Sequence, residues 1–224
     1  MSNSLGPTPL ISRAILTGIA LSLAVGLVLS VAAALEPRFP GDLTLARGIQ
    51  SLSTSWLDTV MKAVTFIGKT YVAGASIVTL SVTLALARRW PEAAAFLGGA
   101  IMEGGLQLLK SLVGRPRPPE ELLRIMESGS SGSFPSGHVY HAVVFVGLLL
   151  ALVIPSLRPK WLRSAMAALV LFLVIVIVVS RVYLGAHWPS DVVGSVTLGI
   201  PSVALLIYLC RRLRGGDTPS TRAE

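Results

Sequence analysis

The sequence predicts an all-α, polytopic membrane protein: six transmembrane helices, with an amphipathic helix lying in the outer interface. Three observations carry that expectation. First, 53% of the 224 residues are hydrophobic and only 13% are charged, with a mean hydropathy of +0.73. A soluble domain needs a charged surface that this chain lacks, and a disordered chain needs far less apolar content. Second, six apolar runs follow one another, each near the roughly 20 residues that a bilayer crossing takes. Third, basic residues crowd against the ends of those runs in short loops.

The runs are Ile11–Leu35, Tyr71–Ala87, Pro91–Val113, Gly137–Ile154, Trp161–Leu184 and Pro189–Cys210. A backbone in lipid must satisfy its own hydrogen bonds, so each reads as a helix. The first ends in Ala32-Ala33-Ala34, which resembles a signal cleavage site. Its apolar part outruns the about 7–15 residues of a signal core, so a retained span is expected. The second is the weakest and has an alternative start near Thr65. Between the first two lies Gly41–Gly68, where Leu45, Ile49, Leu52, Trp56, Val60 and Val64 recur at helical spacing. Asp42 is the candidate cap of that helix. Packing against the bundle is its expected role, with a lid or lateral lipid entrance as the sharper alternative.

Arg13, Arg88 and Arg89, then Arg158, Lys160 and Arg163, then Arg211, Arg212 and Arg214 fall on one side if there are six crossings. That side is expected to be cytoplasmic, with both termini on it. The protein is thus expected in the cell membrane, as one domain over residues 1–214, with a disordered tail over 215–224. The formal net charge of +8 follows from this topology rather than from nucleic-acid binding, and no nucleic-acid partner is expected. The single cysteine, Cys210, excludes an intramolecular disulfide.

Three polar clusters fall at the outer ends of the runs. Lys110 is followed seven positions on by Arg117-Pro118. Pro135-Ser136-Gly137-His138 opens the fourth run. Ser180-Arg181, His187 and Asp191 join the fifth to the sixth. Six crossings put all three on one face. Lys110, Arg117 and Arg181 suit a phosphate, arginine through its planar fork and lysine as a compact charge. Ser136 and Gly137 stand at a helix start, where backbone N–H groups point at an anion. His187 and Asp191 lie four apart. A helix through both puts them on one face. Trp188-Pro189 weakens that reading, and the alternative is that Asp191 sits in a first helical turn and reaches back. The carboxylate orients one ring nitrogen and leaves the other as a nucleophile. His138, with no acid near it in sequence, suits a general acid.

These residues resemble the type 2 phosphatidic acid phosphatase superfamily of integral membrane lipid phosphatases. Its three-part signature is filled at Lys110, Arg117 and Pro118, at Pro135 to His138, and at Ser180, Arg181, His187 and Asp191. The resemblance implies a metal-independent reaction with no cofactor. His187 would form a phosphohistidine, His138 would protonate the leaving group and then act as base, and Asp191 would orient His187. Lys110, Arg117, Arg181, Ser136 and Gly137 would hold the phosphate. The implied partner is a lipid phosphate or pyrophosphate in the outer leaflet. Undecaprenyl-type polyprenyl pyrophosphate comes first, and phosphatidylglycerol phosphate or phosphatidic acid second.

Other readings are a lipid phosphotransferase using the same intermediate and an anion-binding transporter, which would leave the histidines idle. Soluble haloperoxidases with a vanadate pocket are disfavoured by the spans, and metal binding by a site with one acid and many cations. His141 reads as packing, and Arg115 and Arg124 as solvent-facing, with headgroup binding as the alternative for the two arginines. Glu103 reads as buried and hydrogen-bonded, with Gln107 its candidate partner.

Overall fold

The computed structural model describes residues 12–215, and these are helical, with no strand among them. The helices are α1 (Arg13–Leu35), α2 (Asp42–Gln50), α3 (Ser55–Ile67), α4 (Thr70–Leu86), α5 (Trp90–Val113), α6 (Gly137–Leu148), α7 (Lys160–Tyr183) and α8 (Pro189–Gly215). A π-turn, Leu149–Val153, and a 3₁₀ turn, Ile154–Ser156, prolong α6. The predicted tail lies outside the described residues beyond Gly215, and Gly215 itself closes α8.

The six predicted runs return as α1, α4, α5, α6 with its turns, α7 and α8. The protein is an integral membrane protein, but the count of six crossings is not carried by length and apolarity alone. Four helices meet that standard: α1, α6 with its turns, α7 and α8. Helices α3 and α4 together add a fifth if counted as one span bent by 48°. In α5 the apolar run is diluted by Glu103, Gln107, Lys110 and two glycine pairs.

Helix α8 is the hub, packing against α1, α5 and α6. Between α5, α6 and α8 lies a core that includes Phe96, Leu106, Tyr140, Val144, Leu148 and Leu206. Helix α1 meets α8 through small residues, burying only Gly26, Ser30 and Ala33. Its Ser22 Oγ donates to the Thr197 carbonyl at 2.9 Å. Close approach through small residues, with a hydroxyl bonded across, is how helices associate where lipid removes the hydrophobic drive. Leu21, Val28 and Val31 of α1 are exposed, as a lipid-facing stripe requires.

One end of the bundle is tied by Glu92. Its Oε1 accepts from Arg89 Nε at 2.7 Å and from Arg214 Nη2 at 2.5 Å, while Arg89 Nη2 donates to the Leu152 carbonyl at 2.6 Å. This joins the starts and ends of three helices and leaves the opposite end for the polar motifs.

The stretch 41–68 departs from its expectation. It is two helices rather than one, because Ser51–Thr54 break the run and Thr54 Oγ1 caps α3 by accepting from the Leu57 N–H at 3.4 Å. Both pack on α7. Asp42 is not the cap. Gly41 holds that position with φ 88°, and Asp42 is the first residue of α2, reaching back to the Phe39 N–H at 3.0 Å.

Candidate active site

Helix α5 delivers Lys110 in its last turn and stops at Gly114, whose φ of 61° suits a residue without Cβ. The chain then crosses the bundle end as an irregular segment, residues 115–136. It is pinned by Ser133 N–H to the Arg115 carbonyl at 2.7 Å and by Met126 N–H to the Leu184 carbonyl at 2.9 Å. It re-enters as α6 at Gly137. Helix α7 delivers Arg181 at its far end, and the turn 184–188 carries His187 to the start of α8. The three motif clusters therefore meet at one end of the bundle. Lys110, Arg117, Gly137, His138, Arg181 and His187 line a single cavity of about 600 Å³.

Helix α8 begins at Pro189, so His187 lies outside it and Asp191 reaches back from its first turn. Asp191 Oδ2 accepts from the Trp188 N–H at 2.8 Å and from the Ser133 hydroxyl. His187 Nδ1 lies 3.6 Å from the same oxygen, an electrostatic contact too long for a full hydrogen bond. With Nδ1 turned to the carboxylate, Nε2 is the ring nitrogen left for the cavity. Burial pushes the His187 imidazole down to about 4 against the opposing pull of Asp191, and the Arg181 charge adds to the lowering.

The cations are held in different ways. Arg117 donates through Nη1 to the Ala186 carbonyl at 2.8 Å and through Nε to the Ser131 carbonyl at 3.0 Å. Its guanidinium lies across Gly129, where a Cβ would stand 2.6 Å from Nη2. Burial, then the neighbouring Arg181, hold its pKa below the usual arginine value. Arg181 donates through Nη1 to the Thr65 hydroxyl and to Glu127 Oε2 at 2.8 Å, and its buried Nε has no partner among the described residues. The His138 ring packs on Gly68, where a Cβ would stand 2.5 Å from its Cδ2, and its buried Nε2 has no partner among the described residues. The buried Ser136 Oγ likewise has none among them. The first backbone bond of α6 is Tyr140 N–H to the Ser136 carbonyl, so earlier N–H groups have no partner within the helix.

Arg115 overturns its expectation. It is 1% exposed. Its Nη1 donates to Asp191 Oδ1 at 2.5 Å and to Ser190 Oγ at 2.8 Å, and its Nη2 to Asp42 Oδ2 at 2.9 Å. Asp42 also accepts from the Ser190 N–H at 2.9 Å. A chain of charge from α2 to α8 therefore stands behind His187. Arg124 does lie at the surface, but in a two-pronged pair with Asp58 at 2.8 and 2.9 Å. Glu103 bonds not to Gln107 but to His141, whose Nδ1 is 2.6 Å from Oε1. No group of three or more His, Cys, Asp or Glu among the described residues is placed to hold a metal.

The fold and this end cavity describe a helical membrane protein with cations and imidazoles gathered around one pocket. Comparison with known proteins supplies the family. The PAP2 superfamily pattern matches residues 92–215, which hold α5 to α8 and all three motifs, and the chain belongs to that family. It is a membrane phosphatase. Among curated relatives, phosphatidylglycerophosphatase B of Bacillus subtilis (strain 168) is 26% identical over 172 residues, 76% of this chain and 81% of that protein. The Escherichia coli (strain K12) protein of the same name is 28% identical over 117 residues, 52% of this chain and 44% of its own length. Among solved structures, a transmembrane PAP2 type phosphatidylglycerolphosphate phosphatase from Bacillus subtilis has a TM-score of 0.73 at 22% identity, covering 92% of this chain and 99% of that one. Aquifex aeolicus LpxE has a TM-score of 0.58 at 22% identity, covering 76% and 96%. Both are likenesses of fold.

Two outcomes follow from this geometry. Replacing Arg115 by alanine strands two buried carboxylates, so thermal unfolding in detergent should show a loss of about 3–5 kcal/mol. R124A, which cuts an exposed pair, should shift the midpoint far less. Equal shifts would contradict the buried relay. Second, a histidine pKa below its ordinary 6.5 leaves the folded ring neutral from neutral pH down to about 4. Ring ¹⁵N shifts of the three histidines should show His187 neutral at pH 5. D191N removes a charge that raises this pKa, so it should move the titration lower. A His187 midpoint near 6.5 would contradict the burial.

Proposed function

We propose that this chain hydrolyses the terminal phosphate monoester of a glycerophospholipid of the phosphatidylglycerol phosphate type through a phosphohistidine. The observation that carries the chemistry is the meeting of His187, backed by Asp191, with His138 and three cations around one cavity. The names of the curated relatives support the glycerophospholipid over the polyprenyl pyrophosphate that stood first on sequence.

In the first step Lys110, Arg117 and Arg181 hold the phosphate oxygens, helped by Ser136 Oγ and the Gly137 N–H. Neutral His187 attacks phosphorus through Nε2. A P–N bond forms, the P–O bond to the lipid alcohol breaks, and protonated His138 gives its proton to the leaving oxygen. Asp191 stabilises the positive charge that appears on the His187 ring. In the second step water attacks phosphorus and His138 takes its proton. The P–N bond breaks, its electrons return to Nε2, and free phosphate leaves. Cations that tighten as charge spreads over the phosphoryl oxygens lower the barrier of both steps. No metal enters either step. We infer further that the motif end of the bundle faces the outer leaflet, since six crossings would put the arginine-rich loops on the opposite, cytoplasmic side.

The test is phosphate release by purified protein from phosphatidylglycerol phosphate, phosphatidic acid, polyprenyl pyrophosphate and a soluble phosphate ester, with a chelator present and no acceptor alcohol added. Chelator-resistant release, fastest from phosphatidylglycerol phosphate and lowered at least 10³-fold in H187A, is expected. Faster release from polyprenyl pyrophosphate would overturn the substrate assignment. Activity surviving in H187A would overturn the mechanism.

A further inference from the structure

Glu103 and His141 are not used by the mechanism above, yet both line its cavity. Glu103 sits in the middle of α5, two turns before Lys110. A carboxylate at such depth is costly unless it has partners or does work. Its one partner among the described residues is His141, whose Nδ1 lies 2.6 Å from Oε1, which requires a proton between them. Oε2 makes no bond among the described residues, and the Glu103 side chain is 27% exposed, so an acceptor oxygen remains open. His141 is held in turn by stacking on the Phe145 ring at 5.4 Å.

Position decides what this acceptor meets. His141 follows His138 by three residues of α6, about 4.5 Å along the axis and on the same face. If His138 protonates the leaving oxygen, the Glu103–His141 pair stands beside the first carbons of the departing alcohol. A second, apolar groove of about 160 Å³ shares Gly68, His138 and His141 with the polar cavity and runs on past Val72, Phe145 and Ile177 between α4, α6 and α7. The pair therefore stands where polar lining gives way to apolar side chains, the transition that a headgroup and its tails require. The main cavity, at about 600 Å³, has room for more than a phosphoryl group.

We propose that Glu103, braced by His141, is a specificity-determining residue that accepts a hydrogen bond from a hydroxyl group on the leaving alcohol. The ligand chemistry is a glycerol-type headgroup with a free hydroxyl next to the phosphorylated carbon. This rests on the phosphatase reading above. A carboxylate acceptor discriminates strongly here, because an alcohol lacking the hydroxyl still displaces water from Glu103 and returns nothing.

The test uses two lipids that differ by one group, 1-acylglycerol 3-phosphate and its 2-deoxy counterpart, and reads the ratio of their kcat/KM values. Wild type should favour the hydroxyl lipid by about tenfold. E103A should bring the ratio within about twofold of unity. E103Q keeps the shape but offers a weaker, neutral acceptor, and should give a ratio between the two. Inhibition by inorganic phosphate, changed less than about twofold, marks an intact phosphate subsite. If E103A fails to fold, E103Q carries the test. A wild-type ratio retained in E103A or E103Q overturns the proposal. So does a wild type that cleaves both lipids equally, which leaves the phosphatase reading standing. Phosphate release from neither lipid overturns this proposal alone if phosphatidylglycerol phosphate is still hydrolysed, and overturns both if it is not.

Discussion

Cations that recognise phosphate repel one another, and beside hydrocarbon that repulsion is strong. The site exists because fixed anions hold its positive charges in place. Asp191 and Asp42 share Arg115, and Glu127 takes Arg181. The Asp42–Arg115–Asp191 chain matters most. It joins α2, the segment after α5 and the first turn of α8, and it fixes the carboxylate that faces His187. Buried ion pairs of this kind add little net stability, but losing one member leaves an uncompensated charge. The arrangement therefore specifies position more than it strengthens the fold.

That constraint orders the rest of the molecule. The Glu92 tie gathers α5, α6 and α8 at the far end, and the small-residue contact docks α1 on α8. The helices then run as a set to the end where Lys110, His138 and Arg181 emerge. The irregular segment 115–136 closes this end. It brings Arg115 inward behind His187 and lays Arg117 over Gly129. Two arginines two residues apart thus differ in their partners: Arg115 is consumed by carboxylates, while Arg117 is bonded to carbonyls and lines the cavity uncompensated by a direct ion pair among the described residues.

Much of this was legible in the sequence. Helical runs bounded by arginines needed only apolar length, and motifs at alternate ends of successive runs had to meet. The reading of Asp191 as a first-turn residue reaching back followed from Pro189. Other features were hidden for physical reasons. Arg115, in a proline-rich stretch two residues before Arg117, reads as a solvated charge, because its partners Asp42 and Asp191 lie more than seventy residues away on either side. The same distance disguised Asp42 as a simple cap. Glu103 reads as a candidate partner of Gln107, one turn along its own helix, because a partner on α6 leaves no local trace. The break at Ser51–Thr54 was signalled by its run of hydroxyl residues, and the apolar repeat across it concealed that signal. The number of crossings is ambiguous for the same reason that α5 is functional: the residues that serve the cavity dilute its apolar run.

We propose that His187, oriented by a relay of buried charge, faces a phosphate held by Lys110, Arg117 and Arg181. A structure of the purified protein with vanadate bound tests this most directly. Vanadium should be bonded to His187 Nε2, with its oxygens within hydrogen-bond distance of those three cations and of the Gly137 N–H. Vanadium bonded to His138 or His141, or seated away from the three cations, would contradict it.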